Sequence, residues 1–440
     1  MDPSLRLLLA ALLSLAWCLL AARAWRRMRQ ASGGTAQADG SALPVIYASQ
    51  TGGAARLAQQ AVQAIGIGKA QALSLAAVTP EFLQQAGQAL FIISTTGEGD
   101  PPDTAWPFVS RHMEGTAPDL NGLQYGLLAL GDRRYRNFCG FGEDVQHWLQ
   151  SGGARALFAP VLADGEDAGS VGTWQRHLGQ HFGASLAVPA PEAAHWQLQA
   201  RHLVNAGSLG HPCYLLTFVC QGDVPDWQAG DIASITLPGT GESRDYSIAS
   251  LPTDGVLQLL IRLHVGPDGS LGRGSGWLTQ QLQPGETAPI TLRSNPGFHL
   301  LPGQAPAIFI GNGTGIAGLR SLLKARMALD LFNNWLIFGE RQPVIDEPFG
   351  DELRRMAGEG RLTQLDLTFS RDGSSPRYVY EALAQLGDSV CEWVDRGAAI
   401  YVCGSREGMA ANVDSTLQRV LGSARYQALR LSGRYRRDVY

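Results

Sequence analysis

VIYASQTGGAARLAQQAVQAI, residues 45–65, joins a short apolar run (Val45 to Ala48) through a polar, Gly-rich turn to a helix-periodic stretch from Ala54 to Ile65. The unit recurs. Ala89 to Ser94 is a second apolar run, ending in TTGEGDPPD (95–103), and Tyr125 to Leu130 is a third, ending in GDRRYRNFCGFGED (131–144). Strands that alternate with helices and carry polar loops at their tips predict a doubly wound parallel sheet. Ligands of such sheets sit beyond the carboxyl ends of the strands, so three loops of this kind predict one site.

Outward from there the texture changes twice. LAVPAPEAA (186–194) reads as a linker. From Trp196 to about Leu300 come short alternating runs (CYLLTFVC, DIASITLP, RDYSIAS, LQLLIRLHV, APITLR) with Gly/Pro punctuation, which predict an antiparallel barrel or sandwich. Beyond Pro302 the βα alternation returns with IFIGNGTGIAGLRSLL, WLIFGE, LTQLDLTFS and AIYVCGS, a second doubly wound domain. The expected fold is therefore multidomain α/β plus a β-barrel, with domains at 44–185, 195–301 and 302–440.

Composition narrows the class. A chain of 440 residues exceeds one ordinary core. Its net charge of −4 and lack of a basic, aromatic-interleaved stretch exclude a broadly basic nucleic-acid binder. Six scattered cysteines without a C-x-x-C argue against zinc or a disulfide scaffold, so no metal site is expected. Leu7 to Ala22 is almost wholly apolar, with Arg6 before it and Arg23, Arg26, Arg27 and Arg29 after it. The run is shorter than the roughly 20 residues that span a bilayer comfortably, but flanking arginines can snorkel. The charge bias predicts a single-pass anchor in the inner or plasma membrane over 1–30, a linker over 31–43, and catalytic domains in the cytoplasm. A cleaved signal peptide ending near Ala22-Arg23-Ala24 is the rival reading, and a buried core helix a third.

The loops carry the chemistry. In Ser49-Gln50-Thr51-Gly52-Gly53-Ala54, small residues let backbone N–H groups converge on an anion at a helix N-terminus, although an ordinary βα turn would read alike. It lacks the Lys of a triphosphate loop, which favours a phosphate monoester. With Ser94-Thr95-Thr96-Gly97-Glu98-Gly99-Asp100 and Leu130-Gly131-Asp132-Arg133-Arg134-Tyr135 the sequence resembles the flavodoxin domain of diflavin reductases, the family of NADPH–haemoprotein reductases and sulfite reductase flavoproteins. That resemblance implies FMN, its phosphate on the first loop, its ring between the second and third, and Tyr135 stacked on it. Phe138, Cys139 and Asp164 join the pocket on the same ground. Gly53 and Thr96 depart from the family pattern, which puts phosphate binding and FMN exposure in question.

Arg244-Asp245-Tyr246-Ser247-Ile248-Ala249-Ser250 could be an amphipathic strand with a surface Arg, or a strand that pairs a pyrophosphate and packs a ring on a planar cofactor. It resembles the FAD motif of ferredoxin-reductase-like proteins, implying FAD at Arg244, Tyr246 and Ser247. Gly272, Gly274 and Ser275 of GRGSGWL resemble the second FAD segment. Gly311-Asn312-Gly313-Thr314-Gly315, between a strand and a helix, is a dinucleotide loop resembling that of the same reductases, with Gly313, Thr314 and Gly315 as ligands. Ser370, Arg371, Arg377 and Tyr378 suit a 2′-phosphate, the mark of NADPH. Read alone, Ser247, Cys403 and Asp438 are a strand Ser, a buried Cys and a tail Asp. The resemblance makes them the hydride-transfer residues, and Tyr440 the aromatic over the FAD ring.

It also implies a redox protein as acceptor; the expected anchor suggests a membrane or membrane-associated haemoprotein, or a ferric-siderophore or quinone-linked reductase, and similar motifs make a sulfite reductase flavoprotein subunit the alternative. A non-catalytic flavoprotein scaffold is the reading from another class. Family members insert a helical connecting domain before the R-x-Y-S motif. Here only about fifty residues separate Trp196 from Arg244, room for strands alone.

Overall fold

The computed structural model describes residues 42–133, 135–165, 167–184, 193–240, 242–373 and 375–440. The first apolar run becomes β1 (Leu43–Ala48), followed by β2 (Ala70–Ser74), β3 (Gln88–Ser94), β4 (Gln124–Gly131), β5 (Arg155–Ala156) and β6 (Val161–Asp164). They form a parallel sheet in the order β2-β1-β3-β4-β5, with β6 also paired to β4. Both faces are covered. Val45, Leu90, Ile92 and Leu128 pack in one cluster and Ile46, Phe91, Ile93 and Leu127 in the other, which is why these strands are continuously apolar. Helix α1 (Gly53–Ile65) starts directly after the first loop, where Gly52 takes φ +84°. The order reverses between β1 and β3, and the loops after those strands open a crevice at that point.

The middle of the chain forms β7 (Ala194–Leu203), β8 (Cys213–Cys220), β9 (Ile232–Thr236), β10 (Ser243–Ser247), β11 (Leu257–Arg262) and β12 (Thr287–Arg293). The antiparallel order is β10-β9-β12-β7-β8-β11. A bridge between Ile248 and Leu259 brings the two edges together, closing the barrel over Trp196, Phe218, Ile235 and Leu259. Closure removes the exposed edges an open sheet would leave.

The last sheet runs β15-β14-β13-β16-β17, from β13 (Ala307–Asn312), β14 (Asn334–Glu340), β15 (Gln364–Phe369), β16 (Ala399–Gly404) and β17 (Tyr435–Val439). Here too the order reverses, between β13 and β16. The closing run RYRRDVY, which the sequence pattern presents only as a tail motif, is the fifth parallel strand. Its register sets Asp438 beside Cys403. Helix α2 (Ile316–Met327) leaves the Gly-rich loop and α3 (Ala411–Leu431), bent at Gly422, leads back to β17.

The anchor expected over 1–30 lies outside the described residues, as do most of the linker over 31–43 and residues 185–192 between the first two sheets. Among the described residues no helix is long and apolar enough to cross a membrane.

The Gly-rich loop tolerates no side chain at Gly315, where a Cβ would overlap the Cys403 carbonyl. Gly315→Ala is expected to destabilise the protein by about 1–3 kcal/mol, read as a lowered unfolding midpoint.

Candidate functional site

Three strands supply one buried cluster: Ser247 ends β10 of the barrel, Cys403 lies in β16 and Asp438 in β17. The Ser247 hydroxyl donates to Asp438 Oδ2 at 2.6 Å. Cys403 Sγ is 3.8 Å from the same oxygen and 4.0 Å from Ser247 Oγ. Helix α2 presses Gly318 on the cluster, where a Cβ would stand 3.2 Å from Cys403 Sγ and 3.4 Å from Ser247 Cβ. Burial raises the Asp438 pKa above the ordinary carboxylate value, while the hydrogen bonds from Ser247 and Cys403 pull it down. Burial also pushes the Cys403 thiol well up, so it serves as a packing surface rather than a thiolate. Tyr440, half exposed, reaches across the mouth of this region, its hydroxyl 2.9 Å from Thr314 Oγ1.

The barrel's cofactor motif is assembled as a cradle. A Cβ at Gly274 would fall 2.7 Å from Arg244 Cγ and 2.9 Å from the Tyr246 hydroxyl, so the GRGSG segment lies directly against the R-x-Y-S strand. Arg244 and Arg273 share the Glu242 carboxylate at 2.9 and 2.7 Å, placing two guanidiniums where a pyrophosphate can be held. Ser275 Oγ accepts the His264 N–H, fixing the turn that contains Gly272. These residues fit FAD.

A cleft of about 550 Å³ opens at the β13/β16 reversal, lined by Gly313, Thr314, Ser370, Arg377, Tyr378 and Tyr440. Gly315 is turned to the Cys403 backbone instead. Arg371 lines a neighbouring cavity of about 330 Å³ with Arg341, which borders both. Arg262, Glu340 and Arg341 belong to no motif and escaped the sequence reading. They reach the cleft only because β11 and β14 end there.

In the first domain the buried hydroxyls of Ser49, Thr95 and Thr96 have no hydrogen-bond partner among the described residues. Unpaired buried donors are costly, and three of them just past the tips of the neighbouring strands β1 and β3 fit a phosphate-bearing flavin. Thr96 and Asp100 bridge the second loop through their backbones, and a Cβ on Gly99 would come 2.9 Å from Asn137 Cβ, so the second and third loops touch. Thr95 N–H donates to the Leu130 carbonyl. Glu98 accepts the Arg136 N–H and Asp164 the Arg133 N–H. Phe138 lies under the Arg133 guanidinium. Cys139 Sγ faces the Ala129 carbonyl beneath Gly131, its pKa pushed up to about 11 by burial. Asp132 and Tyr135 occupy the loop itself.

This flavin crevice is docked on the other two domains. Asp103, at the end of the second loop, forms a bidentate pair with Arg437, one contact being 2.8 Å, and lies 3.6 Å from Arg430. Gln50 of the first loop donates to the Arg437 carbonyl at 2.8 Å, and Arg293 of the barrel lies by Thr51. Arg430 covers the Trp106 ring at 3.9 Å, and Arg406 donates to the Tyr135 hydroxyl at 2.8 Å. Burial would lower the Arg437 pKa; the Asp103 carboxylate more than reverses this. β17 thus carries Asp438 toward Ser247 and Arg437 toward Asp103 on adjacent positions. Here the sequence was silent, since Asp103 and Arg437 read as members of separate motifs.

A flavodoxin-like crevice and a barrel coupled to an NADP-type sheet, in one polypeptide, define an NADPH-dependent diflavin oxidoreductase. The chain is similar to the diflavin reductases, with FMN, FAD and NADPH as its cofactors. A flavodoxin family model matches residues 45–173 and an oxidoreductase NAD-binding domain model residues 309–415. Similar proteins include the NADPH sulfite reductase flavoprotein alpha-components of Vibrio cholerae (27% identical, covering 93% of this chain and 89% of the relative) and Bacillus subtilis (25%, 90% and 89%). That of Neisseria meningitidis is 24% identical, covering 100% and 98%. The Vibrio alignment runs over 550 positions against the 440 residues here, so that relative holds at least 110 residues with no counterpart in this chain.

Ser247→Ala removes a donor that stabilises the Asp438 carboxylate. The acidic limb of NADPH-dependent flavin reduction is therefore expected to move to higher pH, as measured by stopped-flow absorbance. Arg430→Ala is expected to shift the docking equilibrium about tenfold toward the undocked form. FAD-to-FMN transfer should then slow while NADPH-to-ferricyanide reduction, taken at the first flavin, keeps its rate.

Proposed function

We propose that this protein draws reducing equivalents from NADPH and delivers them singly to a separate haem- or metal-containing protein, as an NADPH–haemoprotein reductase does. When bound, the pyridine nucleotide would supply hydride and the two flavins the conversion of that pair into single electrons. The chain's residues do the rest. Gly318 and Cys403 leave a flat, apolar wall for a nicotinamide ring. Asp438 holds a negative charge within reach of the positive charge that grows on the ring as hydride leaves. Ser247 keeps that carboxylate oriented, and Tyr440 is placed to exchange with the incoming ring. Ser370, Arg371, Arg377 and Tyr378 are assigned to the 2′-phosphate. The observation that carries the reading is the shared strand: β17 presents Asp438 to one site and Arg437 to the docked flavodoxin domain.

The N-terminal apolar run supports an anchor in the inner or plasma membrane with the catalytic domains in the cytoplasm, and hence an acceptor at that membrane. A second reading, the flavoprotein subunit of a sulfite reductase, is favoured by the names of the relatives. Co-purification from native membranes, followed by NADPH-driven reduction of what is captured, separates the two. A soluble sulfite-reducing complex in place of a membrane haemoprotein would reverse the order.

The purified protein is expected to release FMN and FAD in equal amounts and to reduce cytochrome c with NADPH. Flavin-loaded protein that leaves the acceptor oxidised would make it a scaffold. Arg371→Ala is expected to raise KM for NADPH by about tenfold or more while changing that for NADH less than about threefold.

A further inference from the structure

Arg262 ends barrel strand β11, outside every cofactor motif, yet borders the dinucleotide cleft with Asn312, Gly313, Thr314 and Tyr440. One of its terminal nitrogens is 2.5 Å from Glu340 Oε1 at the tip of β14, and the other Glu340 oxygen accepts the Arg341 N–H. The Arg262 and Glu340 side chains are 20% and 3% exposed. A Cβ on Gly313 would come within 4.0 Å of the paired Arg262 nitrogen and 3.9 Å of Glu340 Oε1, so the pair lies at the turn leading into α2. The second terminal nitrogen, Nη1, is buried and has no hydrogen-bond partner among the described residues.

Both facts need a reason. A carboxylate alone beside a loop built for phosphates would repel its ligand, and Arg262 cancels that charge. A buried guanidinium donor without an acceptor is destabilising unless something fills the cleft beside it. Because the anion of a dinucleotide belongs at this helix start, the missing acceptor has the chemistry of a phosphate or ribose oxygen. We propose that Arg262, supplied by the barrel and held by Glu340, is a further ligand for the pyrophosphate–ribose half of the pyridine nucleotide, independent of the 2′-phosphate residues. The proposal rests on the cleft's assignment to NADPH.

Calorimetric titration of the flavin-loaded full chain with NADP⁺ and with 2′-AMP tests it, since 2′-AMP keeps the 2′-phosphate but lacks both phosphates of the pyrophosphate and the nicotinamide ribose. Arg262→Gln is expected to weaken NADP⁺ about tenfold or more and to leave 2′-AMP within about twofold. Arg371→Ala is expected to weaken both. Unchanged NADP⁺ affinity in Arg262→Gln, or an equal loss for 2′-AMP, overturns the role. Should Arg262→Gln fail to fold or to retain flavin, Arg262→Lys takes its place. It keeps the charge for Glu340 without a second planar donor, so about threefold weaker NADP⁺ is expected and wild-type affinity overturns the role. A wild-type chain that binds neither probe overturns the cleft assignment and the role together, which separates the two failures.

Discussion

The Asp103 carboxylate, nearly buried between Arg437 and Arg430, is the contact on which the arrangement of the domains turns. A charge withdrawn from water is tolerable only with a counter-charge in good geometry, and removing one partner of such a pair typically costs about 3–5 kcal/mol. Asp103 belongs to the flavodoxin-like domain and both arginines to the C-terminal one. The pair therefore ties the two together without a connecting domain. Because Arg437 is next to Asp438, the same strand also orients the carboxylate that Ser247 engages. Undocking the first domain would expose one flank of the strand that carries Asp438.

The clefts are products of close backbone approach. Gly315 and Gly311 let the dinucleotide loop lie on the Cys403 carbonyl, and Gly52 lets the first flavin loop lie on the Ser294 carbonyl of the barrel. Gly52 is doubly constrained, because its φ of +84° is also a conformation that side chains resist. Elsewhere the walls come from different domains: Ser247 and Arg262 from the barrel, Glu340, Cys403 and Asp438 from the last sheet. Such a site exists only when the barrel and that sheet are packed, and Arg320 helps to pack them. It donates to Glu352 within its own domain and to the Ala249 carbonyl of the barrel.

Most of the architecture was legible from local pattern. Unbroken apolar runs ending in Gly-rich loops announced two parallel sheets, and short alternating runs announced the barrel between them. Their order and register were not, since a strand such as Val45–Ala48 carries no mark of its neighbours. β17 was missed as a strand. Three Arg and an Asp in seven residues look like a solvated tail until the sheet supplies a neighbour for each. Of the site, the residues inside contiguous motifs were named, whereas Arg262 and Glu340 were not, and Asp103, although inside the second-loop motif, was given no role. Each matters through a partner that lies far away in sequence, such as Arg437 for Asp103.

By itself the sequence determined the kinds of pocket, because phosphate loops, cofactor-strand motifs and dinucleotide turns are short segments whose chemistry depends on neighbours a few residues away. Only the tertiary structure decided how those pockets face one another. That depends on pairings between charges hundreds of residues apart, and on backbones close enough that glycine alone fits between them. Neither leaves a periodic trace along the chain.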